Sequence, residues 1–120
     1  MKINGAVIIP EQFCVCVKAL QQIAYSMSLD KGFAEEGKER NDAELIALMH
    51  SELSEALEAL RDGNPESEKI PKFTSVEEEL ADVFIRILDY SGEHNLRLGE
   101  AIIAKIHFNK NRGFRHGKAF

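Results

Sequence analysis

Two stretches, His50–Leu60 "HSELSEALEAL" and Glu77–Asp89 "EEELADVFIRILD", decide how the chain folds. In both, apolar residues recur at intervals of three and four, the period of a helix face, rather than alternating as in a half-buried strand. Each stretch also carries carboxylates three residues apart, Glu52 with Glu55 and Glu79 with Asp82. That spacing puts both members of a pair on one side of a helix. Two such helices set side by side would bring four acids together.

Working outward from these stretches, the first acidic helix begins at Asn41 or Asp42 as N-cap. It ends at "RDGNP", where Gly63 supplies a C-terminal stop and Pro65 forbids continuation. Its apolar residues Leu45, Ile46, Met49, Leu53, Ala56, Leu57 and Leu60 predict the core face. Glu52 falls at the edge of that face, and Glu55 lies beyond it on a stripe with Leu48 and Ala59. The second acidic helix follows the polar connector "PESEKIPKFTS", with Ser75 and Glu78 spaced as a capping box. Val76, Leu80, Ala81, Val83, Phe84, Ile85, Ile87 and Leu88 make it apolar over most of its circumference, leaving one charged line of Glu79, Asp82, Arg86 and Asp89. This pattern predicts a central helix, buried nearly all round, whose acids are paired or hold a cation.

Two further helices complete the pattern, one over about 11–27 with Phe13, Cys16, Val17, Leu20, Ile23, Ala24 and Met27 on one side, the other over Leu98–Lys110. No alternating strand of useful length is present. The expected fold is all-α, a single domain of four helices over residues 1–120, closed by a basic tail at 111–120. The segment Ser28–Asn41 reads as a loop joining the first helix to an acidic one.

The net charge of −5 is unevenly spread. Lys105, Lys110, Arg112, Arg115 and Lys118 share the last 16 residues with no acid, which leaves residues 1–104 at −10. Such an acidic body repels a polyanion, so the tail suits the phosphates of a small ligand better than nucleic acid. No run approaches the ~18 apolar residues of a membrane span, and "MKINGAVIIP" is too short in apolar residues for a secretory signal. A cytoplasmic location without membrane partners is expected. Cys14 and Cys16 have no second cysteine pair elsewhere and read as plain buried thiols.

Four carboxylates gathered on a buried stripe repel one another, and Arg86 can offset only one of them. An all-oxygen donor set favours Mg²⁺, with Mn²⁺ as a substitute, and Mg²⁺ commonly combines a few carboxylates with substrate phosphates. A di-iron site would need a His three residues after a Glu, and none of the four histidines stands there.

"SELSEALEALRDG", "EEELADVFIRILD" and "KIHFNKNRGFRHGKAF" together resemble the MazG-like branch of the all-α nucleoside triphosphate pyrophosphohydrolases over about residues 41–118. The family pattern E-x-x-E, spacer, E-x-x-D is matched by Glu52, Glu55, Glu79 and Asp82. The resemblance implies that these four bind Mg²⁺ and that the reaction converts a nucleoside triphosphate to its monophosphate and pyrophosphate; one of the four acids, with Glu55 the first choice among them, would orient or deprotonate the water. It also implies a bundle-like fold assembling as a homodimer or homotetramer. Lys105, Asn109, Arg112, His116 and Lys118 match the tail motif and would contact the nucleotide, often in a neighbouring subunit's pocket. Two positions depart from the pattern: Arg97–Leu98 stands where relatives carry an acid before Leu, and a single glycine, Gly117, precedes Lys118. A helical module that binds a nucleotide without hydrolysing it is the alternative.

Overall fold

A computed structural model of the chain describes residues 1–119; the tail's last residue, Phe120, lies outside them. Apart from a small hairpin the regular structure of the described chain is helical: β1 Lys2–Ile3, β2 Ala6–Val7, α1 Pro10–Asp30, α2 Asp42–Arg61, α3 Ser75–Glu93 and α4 Leu98–Lys110, then a 3-10 turn at Phe114–Gly117. The hairpin is a feature the sequence reading passed over. Asn4 and Gly5 both take positive φ, the geometry of a two-residue turn whose twist suits paired strands.

The four helices stand where the apolar spacing puts them, with differences at the ends. Helix α1 starts at Pro10, whose fixed φ suits the first turn, and runs three residues past the expected Met27. The added turn is supported from outside, because Ser28 donates through its hydroxyl to Asp89 at 2.7 Å. Asn41 caps α2 by accepting from the Glu44 amide at 3.0 Å, and beyond Arg61 the chain turns at Gly63 with φ 83. The capping box of α3 lies one residue earlier than the sequence reading placed it. Thr74 and Glu77 bond reciprocally, while Ser75 is engaged through its amide and hydroxyl by the Pro65 carbonyl.

Helix α3 packs against both α1 and α2, and α4 packs on α1. Val17, Ala24 and Leu88 form the buried centre, flanked by Phe13 and Leu98. Two glycines allow the close approaches. A Cβ at Gly92 would collide with the Gln21 carbonyl and lie 2.9 Å from Tyr25 Cβ, so α1 and α3 cross there; one at Gly99 would lie 3.1 Å from Cys14 Cα, where α4 meets α1. Gln21 is buried at the first crossing, and its amide donates to the Ser91 and Leu96 carbonyls, each at 3.0 Å. Both donors of a buried amide are thereby satisfied.

The expected core faces need correction. On α2 the residues turned inward are Glu52, Ala56 and Ala59, while Ile46, Leu53, Leu57 and Leu60 stay exposed. Helix α3 is not buried all round, since Leu80, Phe84 and Ile85 are close to half-exposed, and on α1 Leu20, Ile23 and Met27 face outward. Periodicity identifies an apolar face but not what covers it. Within one copy the acidic stripe of α2, rather than its most apolar stripe, faces α3. Nor are the cysteines both buried thiols, because Cys16 is exposed and Cys14 partly so.

Candidate metal centre and ligand cavity

Helices α2 and α3 run antiparallel. Asn64 and Pro65, just past the end of α2, bond to Val76 and Ser75 at the start of α3, and Asp42 at the other end meets His94 at 2.9 Å. In that register the two acidic pairs lie opposite one another. Carboxylate oxygens of Glu52, Glu55 and Glu79 fall within 4.8 Å of each other. Asp82, the fourth expected ligand, stands outside this trio but lines the adjoining cavity together with Glu52.

The electrostatics follow from this crowding. Glu79 carries a buried oxygen, Oε2, with no hydrogen-bond partner. Burial first, and then the neighbouring Glu55, Asp82 and Glu52 carboxylates, push its pKa up to about 7. Burial and Glu52 likewise raise Asp82. Burial also opposes the charge of Glu52, yet hydrogen bonds from Arg86 and its carboxyl neighbours outweigh that cost and hold it below the ordinary glutamate value. Arg86 Nε donates to Glu52 Oε1 at 2.6 Å. Three converging acids, with one committed cation and an orphaned buried oxygen, form an all-oxygen donor set of the kind that could hold a hard divalent ion.

The cavity beside the acids encloses about 800 Å³. Its two long walls come from one face of α2, through Glu44, Leu45, Leu48 and Glu52, and one face of α3, through Asp82, Ile85, Arg86 and Asp89. From Glu44 to Glu52 the helix rises by about 12 Å, so the cavity grades from acidic at one end to apolar in the middle and polar at the other. Phe33, 77% exposed, stands on its border, and little packs around that ring.

The far end is fastened by Arg40, which the sequence reading treated only as part of a loop. Its guanidinium, 14% exposed, donates to both oxygens of Asp89 at 2.8 and 3.0 Å and to Glu93 at 3.0 Å, and lies 5.9 Å from the Tyr25 ring. Residues 31–41 are thus tied to α3. A lone arginine in a charged loop gives no sequence signal of such a role.

The tail residues do not reach the acids within one copy. Lys105 and Arg112 lie over the Phe108 ring at 4.5 and 5.6 Å, Asn109, His116 and Lys118 are exposed, and none of the five lines the cavity. Arg115 and His116 both adopt positive φ, which turns the chain sharply after α4.

The chain matches no protein-family model, no curated protein and no solved structure. Among the described residues no helix is long and apolar enough to cross a membrane.

Proposed function

We propose that the protein is a Mg²⁺-dependent nucleoside triphosphate pyrophosphohydrolase. The observation that carries this reading is the convergence of Glu52, Glu55 and Glu79 next to a cavity of nucleotide size, with Glu52 belonging to both and Asp82 lining the cavity beside it. The resemblance of the acidic and tail motifs to the MazG-like enzymes points the same way.

Glu52, Glu55 and Glu79, with Asp82 beside them, would hold the metal. Bound there, Mg²⁺ would supply the positive charge that offsets the triphosphate oxygens and makes water more acidic. Arg86 keeps Glu52 ionised, and the apolar wall of Leu45, Leu48 and Ile85 offers the nucleoside a dry surface. Glu55 is the exposed member of the trio, which supports assigning it to orient a water and accept its proton. As the water oxygen bonds to the α-phosphorus, the bond from that phosphorus to the α–β bridging oxygen breaks, and pyrophosphate departs with the electron pair.

The same reading includes self-association. Leu20, Ile23 and Met27 on α1, Leu53, Leu57 and Leu60 on α2, and Leu80 and Phe84 on α3 leave apolar stripes exposed on three helices, the kind of surface that self-association covers. A second copy would cover these stripes and could bring Lys105, Asn109 and Arg112 to the acids from which their own copy separates them. The test of the metal assignment is Mg²⁺ titration of Glu52→Gln and Asp82→Asn: binding should be lost with the helical content kept. Wild-type Mg²⁺ affinity in both variants would remove the basis of the reading.

A further inference from the structure

We infer that Lys69, on the loop between α2 and α3, is a binding residue for the phosphates of the triphosphate. This rests on the function proposed above and adds a residue that neither the acidic motifs nor the basic tail includes.

Three cations line the cavity: Arg40, Arg86 and Lys69. The first two are committed. Arg40 is spent on Asp89 and Glu93 at the far end, and Arg86 on Glu52 at 2.6 Å. Lys69 differs on both counts, because its side chain is 80% exposed and its single ionic partner is Glu78 at 3.3 Å, which leaves two of its three ammonium protons without a carboxylate. Only the lysine end of this pair is exposed; Glu78 is 12% exposed and keeps the Ser67 hydroxyl on its other oxygen, so it is not stripped of every partner when the ammonium swings to a phosphate oxygen.

The loop that carries Lys69 is built rather than slack. Ser67 is buried at its base; its amide donates to the Phe73 carbonyl at 2.8 Å, its hydroxyl donates to Glu78, and the same hydroxyl accepts from the Ile70 amide at 3.1 Å. Glu66 accepts from the Lys72 amide at 3.2 Å and bridges to Thr74 through the backbone. The backbone at 69 is therefore fixed, and only the long side chain is free to move. Its ammonium sits in the field of Glu78, Asp82 and Glu79, which hold it in the charged form. Divalent ions on the acids would weaken that field, while an incoming triphosphate would supply a stronger partner at the same end of the cavity.

The test is calorimetric titration of the full chain, with Mg²⁺ present, by the α,β-methylene analogues of the common nucleoside triphosphates and by the corresponding monophosphates, for wild type, Lys69→Met and Lys69→Arg. Mg²⁺ alone is titrated in parallel. Lys69→Met should weaken the triphosphate analogue by about tenfold or more, change the monophosphate by less than about twofold, and leave Mg²⁺ affinity equal or slightly tighter. Lys69→Arg, which keeps the charge, should stay close to wild type. A Lys69→Met protein that binds the analogue like wild type overturns the role of Lys69 and leaves the pyrophosphohydrolase reading standing. A wild-type protein that binds neither Mg²⁺ nor any analogue overturns both.

Discussion

Arg86 on α3 reaches across to α2 and donates from Nε to Glu52 Oε1 at 2.6 Å, so one of the four acids is already neutralised before any metal arrives. Arg86→Met would leave the carboxylate of Glu52, which is 10% exposed, without its cation. Because the arginine is itself partly solvated, the loss should be about 1–2 kcal/mol rather than the larger penalty of a sealed pair. Urea denaturation with and without Mg²⁺ checks this, and added Mg²⁺ should restore most of the stability.

Glu79 sets the pH dependence. Its ordinary value is 4.5 and burial among acids lifts it to about 7, so between those limits the folded protein keeps a proton that the unfolded chain has released. Stability of the metal-free protein should therefore fall as pH rises through that window. Asp82, also raised, acts in the same direction. Glu52, Glu77 and Glu78 are held below the ordinary glutamate value, and their contribution is lost only as pH falls below about 4.5. On the proposed metal assignment, Mg²⁺ displaces the Glu79 proton, so its affinity should tighten by about tenfold per pH unit from 5 to 7 and then level off. Thermal melts and Mg²⁺ titrations across pH read both effects, and Glu79→Gln should flatten the stability slope.

The α1–α3 crossing tolerates no side chain at position 92, where a Cβ would meet the Gln21 carbonyl and the Tyr25 Cβ. Gly92→Ala should cost about 1–3 kcal/mol, the usual range for overpacking. Gly99→Ala, whose nearest contact would be Cys14 Cα at 3.1 Å, should cost less. Chemical denaturation of the two variants gives the order directly.

Leu53 and Leu57 share the outward stripe of α2 with Leu60. If a second copy covers that stripe, Leu57→Glu should shift the sedimenting species to a monomer while the far-ultraviolet dichroism stays helical. An unchanged mass for the variant, or a monomeric wild type, would rule out this face as the interface.

The parts of this structure that were legible in the sequence are those set by local chemistry. The four helices, the Asn41 cap, the Gly63 stop and the i, i+3 acidic pairs each follow from neighbouring residues alone. Features decided by distant partners were not legible. "TSVEE" contains two possible capping boxes one residue apart, and the Pro65 carbonyl selects between them by engaging Ser75. The α2 stripe facing α3 carries Glu52 with the small Ala56 and Ala59, while the bulkier leucines of the other face are uncovered in a single copy. Arg40 and Lys69 reach the cavity only because the loops carrying them are fastened to α3, at Asp89 for the first and through Ser67 and Glu78 for the second. The hairpin, by contrast, was signalled locally by Asn4–Gly5.

The most direct measurement is product release from a panel of nucleoside and deoxynucleoside triphosphates, with Mg²⁺ and with EDTA. Pyrophosphate and the matching monophosphate should appear in equal amounts from one or more members of the panel, only with Mg²⁺, and be lost in Glu52→Gln. Release of orthophosphate instead, or nucleotide binding with no turnover across the panel, would contradict the account.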